Sequence, residues 1–389
     1  ICNIPIYSNG IDNNGLYGFT NKPRVIEPSI TISARGTIGF CCIRETPFVP
    51  IVRLITITPS REFELSYLKT VFEALIETGE GSSIPQLTVP GIKPKLIPVP
   101  PVNEQTRIQN KLHEILNSIA VISREKEELR KLLQTIQSKI LDLAIRGKLV
   151  PQNPDDEPAS VLLERIRVEK EELIKQGKIK RDKKESVIFK GDDNSYYEKL
   201  PDGKVNCIDE QLPFELPDGW KWCNLSMVGT TNIGLTYRPA DIDTQGIIVL
   251  RSCNIVKDEI NLTDLVRVKT SIRENQFVQK DDILICARNG SRSLVGKCTL
   301  IPEFDEKVSF GAFMAVYRTP YFNYIVHFLR SNFFRSVFDD SNSTAINQLT
   351  QDMLKRAVIP LPPLAEQLRI VDKITELFER LNCIEESLI

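Results

Sequence analysis

One segment occurs twice in the chain. Residues 84–122 align with residues 346–384 at a constant offset of 262, without a gap, and 16 of the 39 positions are identical. The identities include a Gln-Leu-Thr run, a proline cluster and a Glu-Gln-x-Arg-Ile run. Chance does not give agreement over this length, so the fold must contain the same module twice.

Each proline cluster is followed by a change of apolar period. Proline cannot continue a helix, and after it apolar residues recur at alternating spacings of four and three, the pattern of a heptad helix. From Arg107 to Leu143 the first helix would be about 55 Å long at about 1.5 Å per residue. The first seam, with a polar interruption at Lys126, comprises Ile108, Leu112, Ile115, Ile119, Ile122, Leu129, Leu133, Ile136, Ile140 and Leu143; the second comprises Ile370, Ile374, Leu377, Leu381, Ile384 and Leu388.

Two arrangements would bury these stripes. Each stripe could pack on its own globular module, or the two could pack on each other, and the repeat favours the second arrangement. Because the chain must return between the copies, the pair would be antiparallel. Gly147 and Pro151 would end the first helix, and a shorter helix is predicted from Ala159 to Gln176. The basic run at 178–184 is a solvated linker or a phosphate contact, and the polar stretch to Gln211 shows little periodicity.

The rest of the chain has a mixed α/β pattern. β-branched runs at 29–33 and 282–286 predict strands, each followed by Ala-Arg, and residues 67–77 and 321–338 predict helices. The fold class is therefore α+β, with two mixed α/β domains separated by a pair of long antiparallel helices in an internal pseudo-two-fold repeat. The predicted domains are 1–100, 101–147 (first helix), 148–212 (linker and short helix), 213–363 and 364–389 (second helix).

Composition limits the function classes. The 389 residues carry a net charge of −1, nine cysteines and two histidines. No Cys-x-x-Cys and no His at ligand spacing occur, so neither a metal site nor a disulfide framework is expected. No apolar run of membrane-spanning length or secretory signal is found, and a cytoplasmic location is expected. The sequence has no P-loop, no Gly-rich nucleotide fingerprint and no Asn-Pro-Pro-Tyr motif, which argues against an enzyme.

Four motifs resemble one family, the specificity subunits of type I restriction–modification systems. Residues 361–370 (LPPLAEQLRI) resemble its PLPPLxEQxRI signature, and residues 216–222 (LPDGWKW) resemble the LPxGWxW start of its second target-recognition domain. Residues 144–152 (AIRGKLVPQ) resemble its central conserved region, and residues 249–255 are similar to strands of these domains. The first domain lacks LPxGWxW and the second helix stops at Ile389, so we expect both to be incomplete.

The resemblance implies a non-catalytic subunit. Its two target-recognition domains would each read half of a bipartite double-stranded DNA site, with a fixed, unread spacer between the halves. Its helical regions would dock two methyltransferase subunits, which modify adenine N6 with S-adenosylmethionine. Endonuclease–translocase subunits, with ATP and Mg, would complete the complex. The alternative is a symmetric protein-binding scaffold without DNA specificity, which the near-neutral net charge fits slightly better.

Candidate contacts follow from side-chain chemistry. Arg pairs with guanine, and Asn or Gln with adenine, in the major groove. Glu104, Gln105 and Arg107 recur as Glu366, Gln367 and Arg369, and they serve either partner docking or local capping and pairing at the helix start. The DNA-binding candidates are Tyr7, Ser8, Asn9, Asn13, Asn14, Tyr17, Lys22, Arg24, Arg35 and Thr37 in the first domain, and Thr236, Tyr237, Arg238, Arg251, Asn254, Arg288, Asn289, Ser291, Arg292 and Lys297 in the second.

Overall fold

The structure, a computed structural model, describes residues 2–51, 53–76, 79–80, 86–177, 185–339 and 348–388. The chain divides into unit 1, Ile1–Glu127, and unit 2, Glu128–Ile389. This division falls inside the helix that spans Val102–Ile145. The five domain ranges proposed from the sequence remain predictions, and the basic run at 178–184 lies outside the described residues.

The elements of unit 1 are β1 (Ile4–Tyr7), β2 (Leu16–Thr20), β3 (Ser29–Ser33), β4 (Thr37–Ile38), β5 (Cys41–Arg44), β6 (Val49–Pro50), β7 (Leu54–Ile57), α1 (Leu65–Leu75), β8 (Gly79–Glu80), α2 (Val89–Ile92) and α3 (Val102–Ile145), which continues into unit 2. Two three-stranded sheets form its frame: β3 lies between β5 and β7 in an antiparallel sheet, and β1 pairs antiparallel with β2 and parallel with β6. The short strands β4 and β8 also pair. Apolar residues of α1, including Leu68 and Phe72, pack with Ile30 and Ile32 of β3.

Unit 2 repeats this plan with additions. Its elements are α4 (Ala159–Lys175), β9 (Val187–Lys190), β10 (Tyr196–Lys199), β11 (Val205–Cys207), β12 (Lys221–Asn224), α5 (Leu225–Val228), β13 (Thr230–Ile233), β14 (Ile242–Leu250), β15 (Ile255–Val256), β16 (Glu259–Ile260), β17 (Val266–Val268), β18 (Ile283–Cys286), β19 (Cys298–Leu300), β20 (Val308–Phe310), β21 (Met314–Arg318), α6 (Phe322–Arg330), α7 (Asn332–Asp339), α8 (Gln351–Arg356), β22 (Val358–Leu361) and α9 (Leu364–Glu386). β18 lies between β19 and β21, and β14 pairs antiparallel with β17 and parallel with β20.

The repeat extends well beyond the segment that the sequence shows. The order β1, β2, β3, β5, β6, β7, α1, α2, α3 in unit 1 matches β14, β17, β18, β19, β20, β21, α6, α8, α9 in unit 2. The strand pairings also match. The sheet β5–β3–β7 has the same strand order and relative directions as β19–β18–β21, and the sheet β2–β1–β6 corresponds in the same way to β17–β14–β20. The predicted α+β class and the internal repeat are therefore confirmed.

The helix predictions fare differently. The helix predicted from Ala159 is confirmed as α4, and α1 lies where residues 67–77 predicted a helix. The single helix predicted over 321–338 is wrong, because the chain breaks at Ser331 into α6 and α7. The extended backbone of Ser331 ends α6, and its hydroxyl accepts a hydrogen bond from the Phe334 N–H at 3.2 Å. An N-capping serine thus separates two runs that look continuous in the sequence.

The last turns of α3 belong to the core of unit 2. Ile140 and Ile145 of α3 lie in one hydrophobic cluster with Ile370 and Ile374 of α9 and with the buried ring of Tyr324. The final turns of α3 and the first turns of α9 thus share one core. This supports joint packing of the two stripes at this end, and it also shows that both pack on the globular part of unit 2.

The upstream part of the α3 stripe is open to solvent. The side chains of Ile115, Ile119 and Ile122 are 45%, 53% and 62% exposed. Packing of the two stripes on each other along this part of α3 therefore stays a prediction. Four residues of the predicted seam are buried: Leu133, Ile140, Ile370 and Ile374. Three more are exposed, namely Ile108, Ile136 and Ile384. The half-buried positions are Leu112, Lys126, Leu129, Leu143, Leu377, Leu381 and Leu388.

A small sheet occupies the stretch that showed little periodicity. β9, β10 and β11 form an antiparallel sheet with β10 in the centre. A hydrogen-bonded group joins its edge to the rest of unit 2: the Asn224 amide donates to the Ser186 hydroxyl at 2.7 Å, and that hydroxyl donates to a carboxylate oxygen of Glu198. These three short strands were not predicted, because the polar stretch up to Gln211 shows little periodicity in the sequence.

Within the described ranges, no helix has the length and apolarity needed to cross a membrane. The same residues contain no group of three or more His, Cys, Asp or Glu that could hold a metal ion. All nine cysteines are described, and all are free thiols.

Candidate nucleic-acid interface

A connecting segment that begins with exposed residues follows the central strand of the main sheet in each unit, and in unit 1 it contains the short strand β4. In unit 1, residues 35–40 join buried Ala34 to buried Cys41, and in unit 2, residues 288–297 join buried Ala287 to buried Cys298. We call these the unit 1 loop and the unit 2 loop. Each begins with an exposed arginine, at 35 and at 288.

The two loops are closed in the same way. In unit 1 the Gly39 N–H donates to the Ser33 carbonyl at 3.0 Å, and in unit 2 the Gly296 N–H donates to the Cys286 carbonyl at 2.9 Å. Both glycines have a positive φ, 85° and 82°, which other residues adopt only with strain. The same closure therefore supports loops of six and ten residues.

Several unit 1 candidates hold this loop in place. The Asn9 side-chain amide donates to the Arg35 carbonyl, and the Asn9 carbonyl accepts the Thr37 hydroxyl at 2.7 Å. Ser8 donates to the Gly15 carbonyl at 3.3 Å. Asn9, Thr37 and Ser8 are half-buried, so their part in DNA reading would be indirect.

Tyr7 is also fixed internally. Its ring lies 3.6 Å from the Arg44 guanidinium carbon, a cation–π contact, and Arg44 donates to the Thr31 hydroxyl at 3.0 Å and to the Asn14 carbonyl at 2.6 Å. Arg44 was not among the candidates. A buried arginine at the end of an apolar strand is the signal that could have found it.

The exposed unit 1 candidates lie in the turn before β2, on β2, just after β2 and at the start of the unit 1 loop. Asn13 and Asn14 have left-handed backbone (φ 47° and 54°), so turn formation accounts for the Asn- and Gly-rich stretch. The Tyr17 ring is 74% exposed, and Phe19, two residues further on the same face of β2, is also exposed but was missed. The exposed candidates are Asn13, Asn14, Tyr17, Lys22, Arg24 and Arg35.

One unit 2 candidate is excluded by burial. The side chain of Asn254 is only 1% exposed. Its oxygen accepts the Arg251 N–H, and its amide donates to the carbonyls of Asn261 and Asp264, each bond at 2.9 Å. The prediction that Asn254 reads a base is therefore wrong, because every polar group of its side chain is used to shape the 251–264 segment.

Two basic candidates of unit 2 are also used internally. The Lys297 ammonium donates to the Ile255 carbonyl. The Arg251 guanidinium donates to the Asp264 carbonyl at 3.3 Å and forms an ion pair with the Asp264 carboxylate at 2.9 Å. Both are half-buried, and these bonds must be kept or exchanged if either residue contacts DNA.

The remaining unit 2 candidates are more open. The Arg288 guanidinium lies 5.5 Å from the centre of the exposed Phe313 ring, which the sequence did not single out. Asn289 donates to the Ser252 hydroxyl at 3.2 Å, and Tyr237 packs beside buried Leu235. The exposed candidates are Thr236, Arg238, Arg288, Ser291 and Arg292.

The repeated glutamines at the helix starts serve the fold. Gln105 is fully buried; its oxygen accepts the Glu64 N–H at 2.9 Å, and its amide donates to the carbonyls of Glu62 and Pro100, both at 2.8 Å. Gln367 donates to the Pro362 carbonyl at 3.0 Å, five residues back as in the first copy. For both glutamines, local bonding is the interpretation that the geometry supports, since a buried side chain offers nothing to a partner.

Glu366 joins three of the family-like motifs. It accepts hydrogen bonds from the Trp220 indole N–H and from the Gln152 amide, both at 2.9 Å. Burial raises the pKa of this carboxyl group, despite those two bonds. Arg369 pairs with Asp156 at 2.6 Å. Partner docking by Glu366 is therefore wrong, whereas the exposed Glu104 and Arg107 keep both interpretations open.

Comparisons with known proteins agree with this architecture. Residues 2–131 and 218–389 match the family described as the type I restriction modification DNA specificity domain. The chain is 31% identical over 259 residues to the type I restriction enzyme EcoAI specificity subunit of Escherichia coli, a match that covers 64% of this chain and 40% of that protein. It is 32% identical over 183 residues to the StySPI specificity subunit of Salmonella potsdam, covering 45% and 39%. The matches thus span less than half of these relatives.

Two solved structures share the fold. The HsdS subunit from Thermoanaerobacter tengcongensis superposes with a TM-score of 0.56 at 15% identity, covering 99% of this chain and 85% of that chain. A chain from work on complex assembly and conformational transition of the type I R-M system gives 0.58 at 16% identity, with 99% and 86% covered. Because the family match takes in both copies of the module and most of the chain, the protein belongs to the type I restriction–modification DNA specificity family.

Proposed function

We propose that this chain is the sequence-reading subunit of a type I restriction–modification complex and that it recognises a bipartite DNA target. The observation that carries the proposal is one strand plan built twice, with loops of different length and sequence at the same place. An equivalent frame presents each loop in the same way, while the differing side chains select different bases. Unit 1 would read one half-site and unit 2 the other.

The repeat also supports two equivalent partners. A module present twice offers the same docking surface twice, so two copies of one methyltransferase subunit could bind. The chain would be non-catalytic in this complex. S-adenosylmethionine would serve the methyltransferase subunits, ATP and Mg the endonuclease–translocase subunits, and the complex would work in the cytoplasm.

Local charge supports DNA contact despite a net charge of −1. The unit 2 loop carries Arg288, Arg292 and Lys297 and no acidic residue. A local basic segment of this kind is suited to phosphate contact, which supplies much of the affinity in protein–DNA complexes.

Mapping of modified bases in the genome tests the proposal. We expect a two-part N6-methyladenine motif that disappears when the gene for this chain is deleted and returns when it is restored. Replacing residues 288–294 with a neutral segment of equal length, while keeping the closing Gly296, should alter one half of the motif and leave the other unchanged. A motif that survives the deletion would contradict the proposal. Absence of any salt-dependent duplex binding by the chain with its methyltransferase would favour the scaffold alternative.

A further inference from the structure

The first arginine of the unit 1 loop and that of the unit 2 loop occupy one structural position. Ser33 pairs with Leu54 across β3 and β7, and Cys286 pairs with Met314 across β18 and β21. Counting two residues on from each central strand leads to the arginine in both units. Arg35 and Arg288 are therefore equivalent by strand register, although the loops that follow differ in length and sequence.

A second repeated contact fixes the base of each loop. The Leu87 N–H donates to the Ala34 carbonyl at 3.0 Å, and the Leu349 N–H donates to the Ala287 carbonyl at 2.7 Å. These leucines belong to the Gln-Leu-Thr run that the two copies share. The backbone just before each arginine is thus held from the same side by the same segment.

The fold gives no internal reason for an arginine at this position. Ala34 and Ala287 are identical because they are buried, and Gly39 and Gly296 because they need positive φ. Among the residues that the structure describes, neither loop arginine forms an ion pair or donates a side-chain hydrogen bond. Both are exposed, and Arg288 only faces the Phe313 ring.

An identical residue cannot account for the difference between two half-sites. If the two units read different bases, the side chains that differ between the two loops must select those bases. A side chain that both loops share must instead contact a feature of the DNA that both half-sites share. The DNA backbone is that common feature, and guanidinium is well suited to phosphate oxygens. We propose that Arg35 and Arg288 are positioning residues that each bind a DNA phosphate and so place the neighbouring variable side chains against the bases.

This inference rests on the proposed function, and salt dependence of binding tests it. The chain with its methyltransferase subunits would be titrated with target and non-target duplexes over a range of salt concentrations. Arg35→Ala and Arg288→Ala should each reduce the slope of log affinity against log salt by about 1, and the double variant by about 2. Affinity for target and non-target duplexes should fall by the same factor, and the methylated motif should stay the same.

Arg→Lys variants separate phosphate binding from base reading. Lysine keeps the charge but lacks the rigid planar fork of N–H groups, so it is a poor replacement for an arginine that reads a base through two parallel bonds. Arg35→Lys and Arg288→Lys should therefore restore the wild-type slope and preserve the motif. Lys280→Ala is the matched control, because Lys280 is exposed, precedes β18 and so lies at its other end, and is paired with Glu303. Its loss should leave the slope unchanged.

The contrary outcomes are distinct. An unchanged slope in both alanine variants, or a motif that loses one defined base when Arg35 or Arg288 is replaced, would overturn the phosphate assignment. If the wild-type complex itself shows no salt-dependent binding and no two-part motif, the proposed function fails instead. The wild-type measurement therefore comes first.

Discussion

The Glu-Gln-x-Arg-Ile run occurs in both copies, but its glutamate has a different environment in each. Gln105 and Gln367 both bond the carbonyl of the proline five residues earlier, so that bond explains their identity. The glutamates differ: Glu366 is buried against Trp220, whereas Glu104 is exposed. Sequence identity between the copies therefore reports a shared helix start and does not define a docking surface.

Truncation of these two glutamates should have unequal effects. Glu366→Ala leaves the buried indole N–H of Trp220 and the Gln152 amide without their acceptor, which should lower the free energy of unfolding by roughly 2–4 kcal/mol. Glu104→Ala is the matched control at the equivalent exposed position and should change it by less than about 0.5 kcal/mol. Urea denaturation followed by far-ultraviolet circular dichroism, which reports the helices and strands of both units, measures both. Equal losses would contradict the role of Glu366 described above.

His327 should make the protein sensitive to mild acid. Its ring packs on Phe378 of α9, its Nδ1 has no hydrogen-bond partner among the described residues, and burial lowers its pKa to about 3. Below pH 6.5 the histidine of the unfolded chain binds a proton, whereas the buried histidine of the folded chain stays neutral until about pH 3. The free energy of unfolding therefore keeps its full value above pH 6.5 and decreases as the pH falls from 6.5 toward 3. Between pH 7 and pH 5 the loss should be about 2 kcal/mol.

A His327→Leu variant tests this source of the acid sensitivity. Leucine has no proton to bind, so its unfolding free energy should fall less between pH 7 and pH 5 than that of the wild type. His113→Leu is the control, because His113 is exposed on α3. If the wild type and the His327 variant lose the same stability, His327 is not responsible.

At the level of elements, α3 has two different environments along one helix. Its last turns are in a hydrophobic core, and its middle turns expose isoleucines at heptad positions. Heptad spacing predicts that a stripe exists and which residues belong to it. The spacing does not say which turns are covered, since that depends on the length and position of another element.

Matched isoleucine truncations on α3 should reveal this difference. Ile140→Ala and Ile145→Ala remove buried side chains and should each cost about 2–5 kcal/mol. Ile119→Ala removes an exposed side chain and should cost less than about 0.5 kcal/mol. Thermal and urea unfolding of the three single variants provide the comparison. A large loss at Ile119 would mean that its stripe is covered in solution.

Sequence reasoning found the long-range plan better than the short elements. The repeat, the helix starts and the central strands were predictable because prolines, heptads and β-branched runs give strong local signals. β9–β11 were missed because strands of three or four residues barely register as alternation. Asn254 was misjudged because its sequence neighbourhood looks like an exposed turn. Only the fold shows that its side-chain amide donates both of its hydrogen bonds to the carbonyls of Asn261 and Asp264.

At the level of the whole molecule, the proposed bipartite target depends on the helices as spacers. A seven-residue insertion adds two helical turns, about 10.5 Å at about 1.5 Å per residue. Inserting one heptad in α3 and one in α9 should therefore lengthen the unread spacer by about three base pairs, at about 3.4 Å per base pair. Mapping of the methylated motif measures the spacer.

An insertion of equal length elsewhere controls for added chain. Gly203, with a φ of 87°, lies in the exposed turn between β10 and β11. Seven residues placed there should leave the spacer unchanged. A spacer that ignores the helix insertions, or that responds to the turn insertion, would contradict the spacer role of the helices.

The common glycine closure of the two loops has a thermodynamic consequence. Enlarging a closed loop from six to ten residues costs only about 0.5 kcal/mol of chain entropy, because the cost grows with the logarithm of length. Chain entropy therefore places little restriction on the length of the segment that we propose to read bases. Residues can be added or removed there with hardly any penalty to folding, provided that the closing glycine and the buried residues are kept.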